Sequence, residues 1–379
     1  MNRGGDMKQG RGVFRSELAL WFGALTTGSF LTWGSVWSAD LSNVVWYGFL
    51  FVWVFVSMLW LAFGVVRHAD ALAVLLGEPY GTMVLTLSVI SIEVVMIAAV
   101  MLTGADNPTL GRDTLFSVLM IVLNGMLGVT LLVGGLRHGE QSYNLQGAGA
   151  YLGVLIPIAG LTLILPRYMP GAPGGEVPPM TGLWLVVVSA GLYGAFLWIQ
   201  TSRHSGYFQE PASVAGGVGG HAEDHGGLEV RSMAYHGLLL PLTMLPIVLL
   251  SKKMAHLVEH GMGVLGAPQA LGGLFVAVLV LAPEGVAAVK SAWANRLQRS
   301  VNIALGSALS TTGMTIPAVL LIALFTDKTV ELGLDEENLH LLLLTLLVAV
   351  VNFSAPRTNV MQGVVHTVLF LTYFVLIFN

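Results

Sequence analysis

The sequence predicts an all-α polytopic membrane protein with about eleven transmembrane helices, one N-terminal helix followed by two inverted five-helix repeats. Three observations predict it. Of 379 residues, 55% are hydrophobic and only 10% are Asp, Glu, Lys or Arg, against roughly a quarter charged in soluble domains. Apolar runs of about 17–25 residues, the length that crosses a hydrocarbon core of ~30 Å, recur along the whole chain. The chain also repeats a pattern of its own at a spacing of 189–191 residues. The composition excludes a soluble globular enzyme, a disordered chain and a nucleic-acid binder, which needs a basic face. With no cysteine present, disulfides, thiolate catalysis and cysteine-held metals are excluded too.

Taken in order, the spans run roughly Leu18–Trp37, Asn43–Val66, Gly81–Leu102, Thr114–Leu136, Ala150–Leu165, Met180–Ile199, Tyr235–Leu250, Ala270–Val289, Val301–Phe325, Leu339–Phe353 and Val360–Phe378. The first follows Arg3, Lys8, Arg11 and Arg15, as a secretory signal does. Its apolar stretch is longer than a signal core, however, and ten spans follow it. The alternating ten-residue segments of a membrane β-barrel are missing. With the N-terminus inside, twelve Lys and Arg fall on one side and five on the other, so the N-terminus is expected in the cytoplasm and the C-terminus outside. Residues 1–40 then hold the N-terminal segment and first helix, 41–200 the first repeat, 201–233 a cytoplasmic linker loop, and 234–379 the second repeat. Within that loop Thr201–Ser232 is Gly-rich and carries His204, His221, Glu223, Asp224, His225 and Glu229. It reads as a solvated flexible linker, with a cation-sensing loop as the sharper alternative. Pro166–Pro179 reads as an external loop.

The repeat is carried by ordered matches. Asp70 and Glu259, Leu76 and Leu265, Gly77 and Gly266, and Pro79 and Pro268 are each 189 residues apart; Gly81 with Gly272 and Glu93 with Glu284 are 191 apart. Five spans per copy is an odd number, so the second copy must enter the membrane upside down. Inverted repeats are the mark of secondary transporters, whose sites lie near the midplane.

Glu93 and Glu284 each stand twelve residues into a span counted from Gly81 and Gly272, about 18 Å at ~1.5 Å per residue. Both carboxylates are thus expected near the bilayer centre, reached from opposite sides. A charge there costs at least ~2.5–3.5 kcal/mol and marks function by default. No Lys or Arg lies mid-span to make a structural ion pair. Two carboxylates ~5 Å apart would repel by ~3 kcal/mol at an effective dielectric of 20, so the pair holds protons near neutral pH or a cation instead. That competition is the physical core of cation/proton exchange. Hard cations want several oxygen ligands. Ser88, Ser91, Asn124, Ser307, Ser310 and Thr311 are spaced to supply them, with ordinary interhelical hydrogen bonding as the alternative. Pro283 is expected to free carbonyl oxygens beside Glu284. Glu78 either gates access to the third span or caps its end. His366 relays protons or is a satisfied packing histidine. Asp70 and Glu259 read as interfacial charges at helix ends.

The residues Arg67-His-Ala-Asp70, Gly77-Glu78-Pro79-Tyr80-Gly81, Leu87-Ser88-Val89 through Glu93, Ala282-Pro283-Glu284-Gly285 and Pro356-Arg357-Thr358-Asn359-Val360 resemble the bacterial ChaA-type calcium (sodium/potassium):proton antiporters. That group lies within the cation/calcium exchanger superfamily, and the likeness runs over nearly the whole chain. It implies eleven spans with two inverted repeats around a glutamate pair, with Glu93 and Glu284 binding cation and protons alternately. It also implies that the fourth and ninth spans line the site, in keeping with Asn124, Ser310 and Thr311. Related vacuolar-type exchangers carry an Asn three residues before each glutamate, where this chain has Ile90 and Leu281. The expected function is export of calcium, with sodium or potassium as alternatives, against protons across a bacterial inner membrane. No cofactor and no nucleic acid is expected, and the expected partners are membrane lipid and the transported cations and protons. An intramembrane peptidase would need a His-Glu-x-x-His or paired intramembrane aspartates, and neither is present.

Overall fold

The computed structural model describes residues 14–77, 80–103, 108–170, 172–211, 230–268, 270–326 and 328–378. Eleven helical runs follow one another among them: α1 Leu18–Thr32, α2 Val44–Leu76, α3 Tyr80–Thr103, α4 Leu110–His138, α5 Leu145–Tyr168, α6 Pro179–Arg203, α7 Met233–Leu265, α8 Ala270–Trp293, α9 Leu297–Thr326, α10 Glu336–Asn352 and α11 Val360–Ile377; eight of them, α2, α4–α9 and α11, are long and apolar enough to cross a membrane. Asn43, Asn144, Asp335 and Asn359 cap four of them, each side-chain oxygen accepting a first-turn N–H. The only strands among the described residues are two of two residues, Gln141–Ser142 and Arg357–Thr358, paired antiparallel. The chain is an all-α polytopic membrane protein.

Contacts divide it into two compact units. The first holds α1, α2, α3 and α7 (residues 1–104 and 228–264). There α1 lies so close to α2 that a Cβ on Gly23 would meet the Leu61 side chain at 2.5 Å. Helices α2 and α7 run antiparallel. Tyr47, near the start of α2, donates to the Leu257 carbonyl near the end of α7 (3.0 Å), while His68, late in α2, meets His236 at the start of α7 (3.0 Å).

The second unit holds α4–α6 and α8–α11 (residues 105–227 and 265–379). Its centre is α4, most of whose apolar stretch is buried, as suits a helix that is apolar all round. Small residues let its neighbours approach. A Cβ on Gly273 of α8 would lie 2.9 Å from the Thr114 nitrogen, and one on Gly363 of α11 would lie 2.5 Å from the Leu132 nitrogen. The hairpin loops pair at both ends of this unit, Gln141 with Thr358 and Glu176 with Glu331.

The sequence boundaries of two spans stop short of the helices. Hydropathy ends the second span at Val66 and the seventh at Leu250, because Arg67, Lys252 and Lys253 follow. Hydrogen bonding carries α2 and α7 on to 33 residues each. At ~1.5 Å per residue that is about 50 Å, longer than the ~30 Å apolar slab, so the charged turns lie beyond it. The first span is shorter than expected, α1 ending at Thr32 before a separate turn over Gly34–Trp37. The 201–233 loop is not a free linker from its start. The sixth helix continues to Arg203, and a 3₁₀ turn over Ser205–Phe208 packs down, with Phe208 against Tyr151 and Phe196. Asn302 donates to the Phe208 carbonyl (2.7 Å), and burial pushes the neighbouring Glu210 carboxyl above its usual range.

Candidate functional site

Glu93 stands thirteen residues after Tyr80 and ten before Thr103; Glu284 stands fourteen after Ala270 and nine before Trp293. Each carboxylate therefore occupies the middle of a 24-residue helix. Glu93 is buried, 2% exposed, and belongs to the first unit; Glu284 is half-buried and belongs to the second. Helix α8 runs through Pro283 without a break, and because proline has no N–H, the Leu279 carbonyl is left without its usual donor.

In the first unit, Ser88 and Ser91 share α3 with Glu93 but not its face. At 3.6 residues per turn they project about 140–160° away from it. Their hydroxyls turn back on their own helix, to the Val84 and Leu87 carbonyls at 2.6 Å each. Short hydroxyl side chains in an apolar helix find that partner most readily. Glu78 lies outside the described residues, as do His221, Glu223, Asp224, His225 and Glu229. His204 stacks on Tyr207.

In the second unit, α8 packs between α4 and α9. Two π-helical turns interrupt these neighbours, Ile121–Met126 in α4 and Thr311–Thr315 in α9, and such turns recur at functional sites. Their starts are 190 residues apart, within the spacing of the sequence repeat. Asn124 lies in the first turn and Thr311 opens the second, with Ser307 and Ser310 in the helix just before it. All four side chains are buried, and the Ser310 hydroxyl donates to the Ser307 carbonyl (3.1 Å). The α4 turn reaches α8 beside Glu284: the Met126 methyl would touch a Cβ built on Gly285 at 3.7 Å. Asn124 is drawn elsewhere. Its amide nitrogen donates to Thr345 Oγ1 of α10 (2.8 Å), and its oxygen lies 3.2 Å from His366 Nδ1 of α11.

Periodicity gives no sign of a π turn, because one inserted residue leaves an apolar run apolar. The sequence also hides a polar cluster in the first unit. Buried Glu17, just before α1, accepts from Arg67 Nη2 (2.5 Å) and His68 Nε2 (3.1 Å) on one oxygen and from Tyr235 OH (2.6 Å) on the other. The Arg231 N–H donates to His236 Nε2 (3.0 Å), which leaves the His236 proton on Nδ1 to donate to His68 Nδ1. Arg67-His68 stands out in the sequence as a motif, but its partners are 51 and 168 residues away.

The sequence matches the family described as Sodium/calcium exchanger protein over residues 46–202 and 235–379. It is 40% identical over 318 residues to the putative ionic transporter y4hA of Sinorhizobium fredii, covering 83% of this chain and 84% of that one. It is 37% identical over 369 residues to the sodium-potassium/proton antiporter ChaA of Escherichia coli, covering 96% of each. Among solved structures, native YfkE superposes with a TM-score of 0.72 at 16% identity, over 95% of this chain and 99% of that one. At that identity the likeness speaks for the fold.

Proposed function

The chain belongs to the sodium/calcium exchanger protein family, and we propose that it is a secondary antiporter that exports cytoplasmic calcium in exchange for external protons by alternating access. Glu93 and Glu284 take cation and protons in turn, and the exchanger sits in a bacterial inner membrane with its N-terminus in the cytoplasm. One observation carries the reading: two carboxylates, each at the middle of a 24-residue apolar helix, in a setting where an unneutralised charge is costly. Bound calcium or bound protons each remove that cost, so the two ligands compete.

We infer that α2–α6 and α7–α11 are the two inverted repeats, with α1 outside them. The matched lengths of α2 and α7 and of α3 and α8, the antiparallel run of α2 against α7, and the left-handed glycines that close α2 and α7, Gly77 (φ +66°) and Gly266 (φ +59°), support this. A sodium or potassium/proton exchanger on the same two carboxylates is the second reading, favoured by the name of the Escherichia coli relative, a sodium-potassium/proton antiporter. The cation that collapses an imposed proton gradient in everted membrane vesicles decides between them. Glu93→Gln and Glu284→Gln should each abolish that response. Exchange surviving in both variants removes the carboxylates from the mechanism. A cation flux without opposing proton flux would make the protein a channel.

A further inference from the structure

His366 is fully buried in α11. Its Nδ1 lies 3.2 Å from Asn124 Oδ1. That oxygen only accepts, because the amide nitrogen is fixed at the other end by Thr345 Oγ1 (2.8 Å) and Met120 Sδ (3.4 Å). The imidazole proton is therefore on Nδ1. Its Nε2 meets no hydrogen-bond partner among the described residues, a cost that an apolar side chain of the same size would avoid. A second proton placed there would be buried with no acceptor, so this imidazole serves as a neutral donor and not as a proton carrier.

The approach that brings His366 to the amide depends on two glycines. A Cβ on Gly128 would stand 2.9 Å from the Thr367 nitrogen, and one on Gly125 would meet the Phe370 ring at 3.2 Å. The segment held in this way is the π turn Ile121–Met126, whose last residue reaches α8 beside Glu284. Resting on the antiport reading above, we propose that His366 is a positioning residue for the cation site: its Nδ1–H pins the Asn124 amide, and with it the π turn of α4 that packs on the Glu284 helix.

The test uses the full chain in proteoliposomes, reading the calcium, sodium or potassium concentration for half-maximal exchange and the pH profile. His366→Leu removes the donor, and Thr345→Val removes the opposite anchor without changing shape. Each should raise KM by about five- to tenfold, the effect of one net hydrogen bond, and leave the pH profile where it was. His366→Asn places an amide N–H where Nδ1–H stood and should recover most of the lost affinity. Wild-type KM in both His366→Leu and Thr345→Val overturns the proposal. So does a His366→Asn protein that is as impaired as His366→Leu or has a displaced pH profile, which would make the imidazole a proton carrier. Should His366→Leu fail to fold in a detergent melt, the Thr345→Val and His366→Asn comparison carries the test. Glu284→Gln runs alongside: exchange persisting there sinks the antiport reading on that carboxylate, independently of what His366 does.

Discussion

Glu17 is a carboxylate taken out of water at the start of the first apolar helix and kept ionised there. Burial pushes its carboxyl up, but the hydrogen bonds from His68 and Tyr235 and the Arg67 guanidinium outweigh that and hold it at about 2. A group whose pKa is depressed in the fold adds stability above its unfolded value and loses that stability as pH falls toward the folded one. The drop from 4.5 to about 2 corresponds to roughly 3 kcal/mol at ~1.4 kcal/mol per unit. Glu17→Gln should therefore lower the detergent melting temperature at neutral pH, and the gap from wild type should close as pH is taken from about 5 toward 2. A gap that stays constant through that range would show that the charge is not what holds the cluster. The residue scale also shows what a sequence conceals. The mid-helix positions of Glu93 and Glu284 were legible, because a carboxylate in an apolar run stands out against hydropathy. The roles of hydroxyls and amides were not, because Ser88, Ser91 and Asn124 have several partners within reach and only packing decides among them. Asn124 is matched to Thr345 and His366 across 221 and 242 residues of sequence.

At the scale of elements, apolar length fixed the number and order of the helices, while hydrogen bonding fixed where they end. Helices α2 and α7 run past the apolar slab because their backbone bonds do not depend on hydropathy, and α4 and α9 change pitch inside it for the same reason. Contacts between helices were visible only as glycine counts. A lipid-facing side gains little from burial, so helices associate through close backbone approach. The α4–α11 seam is an example: a methyl group on Gly363 would sit 2.5 Å from the Leu132 nitrogen and 3.0 Å from the Gly128 carbonyl oxygen, both backbone atoms that cannot swing aside. Gly363→Ala should destabilise the protein by about 1–3 kcal/mol, as overpacking does. Gly149→Ala, where a methyl meets nothing within 4 Å on α5, should be neutral or gain up to about 1 kcal/mol of helix propensity. Thermal unfolding of the two variants checks both, and equal melting temperatures would refute the close-packed seam.

At the scale of the whole molecule, the loop pairings bear on how the chain crosses the membrane. The turn after α4 pairs with the turn after α10, and the turn after α5 pairs with the turn after α9. Paired turns must lie on one side of the membrane. With eleven crossings and the N-terminus inside, Gln141 and Thr358 both fall in the cytoplasm, and Glu176 and Glu331 both fall outside. Removing any one crossing between α5 and α10 would set the first pair on opposite faces. The pairings are thus a constraint on the count that is independent of hydropathy. The direction of threading rests on the excess of Lys and Arg in the loops assigned to the cytoplasm, twelve against five. A chain without cysteine makes that direction measurable. Glu140→Cys stands at an exposed turn on the expected inner side, and Glu337→Cys at an exposed position on the expected outer side. A membrane-impermeant maleimide applied to intact spheroplasts should label Glu337→Cys at once and Glu140→Cys only after permeabilisation. The opposite pattern would turn the whole protein over and exchange the faces on which cation and protons load. Labelling of both from one side would break the crossing count, and with it the proposal that the second half is an inverted copy of the first.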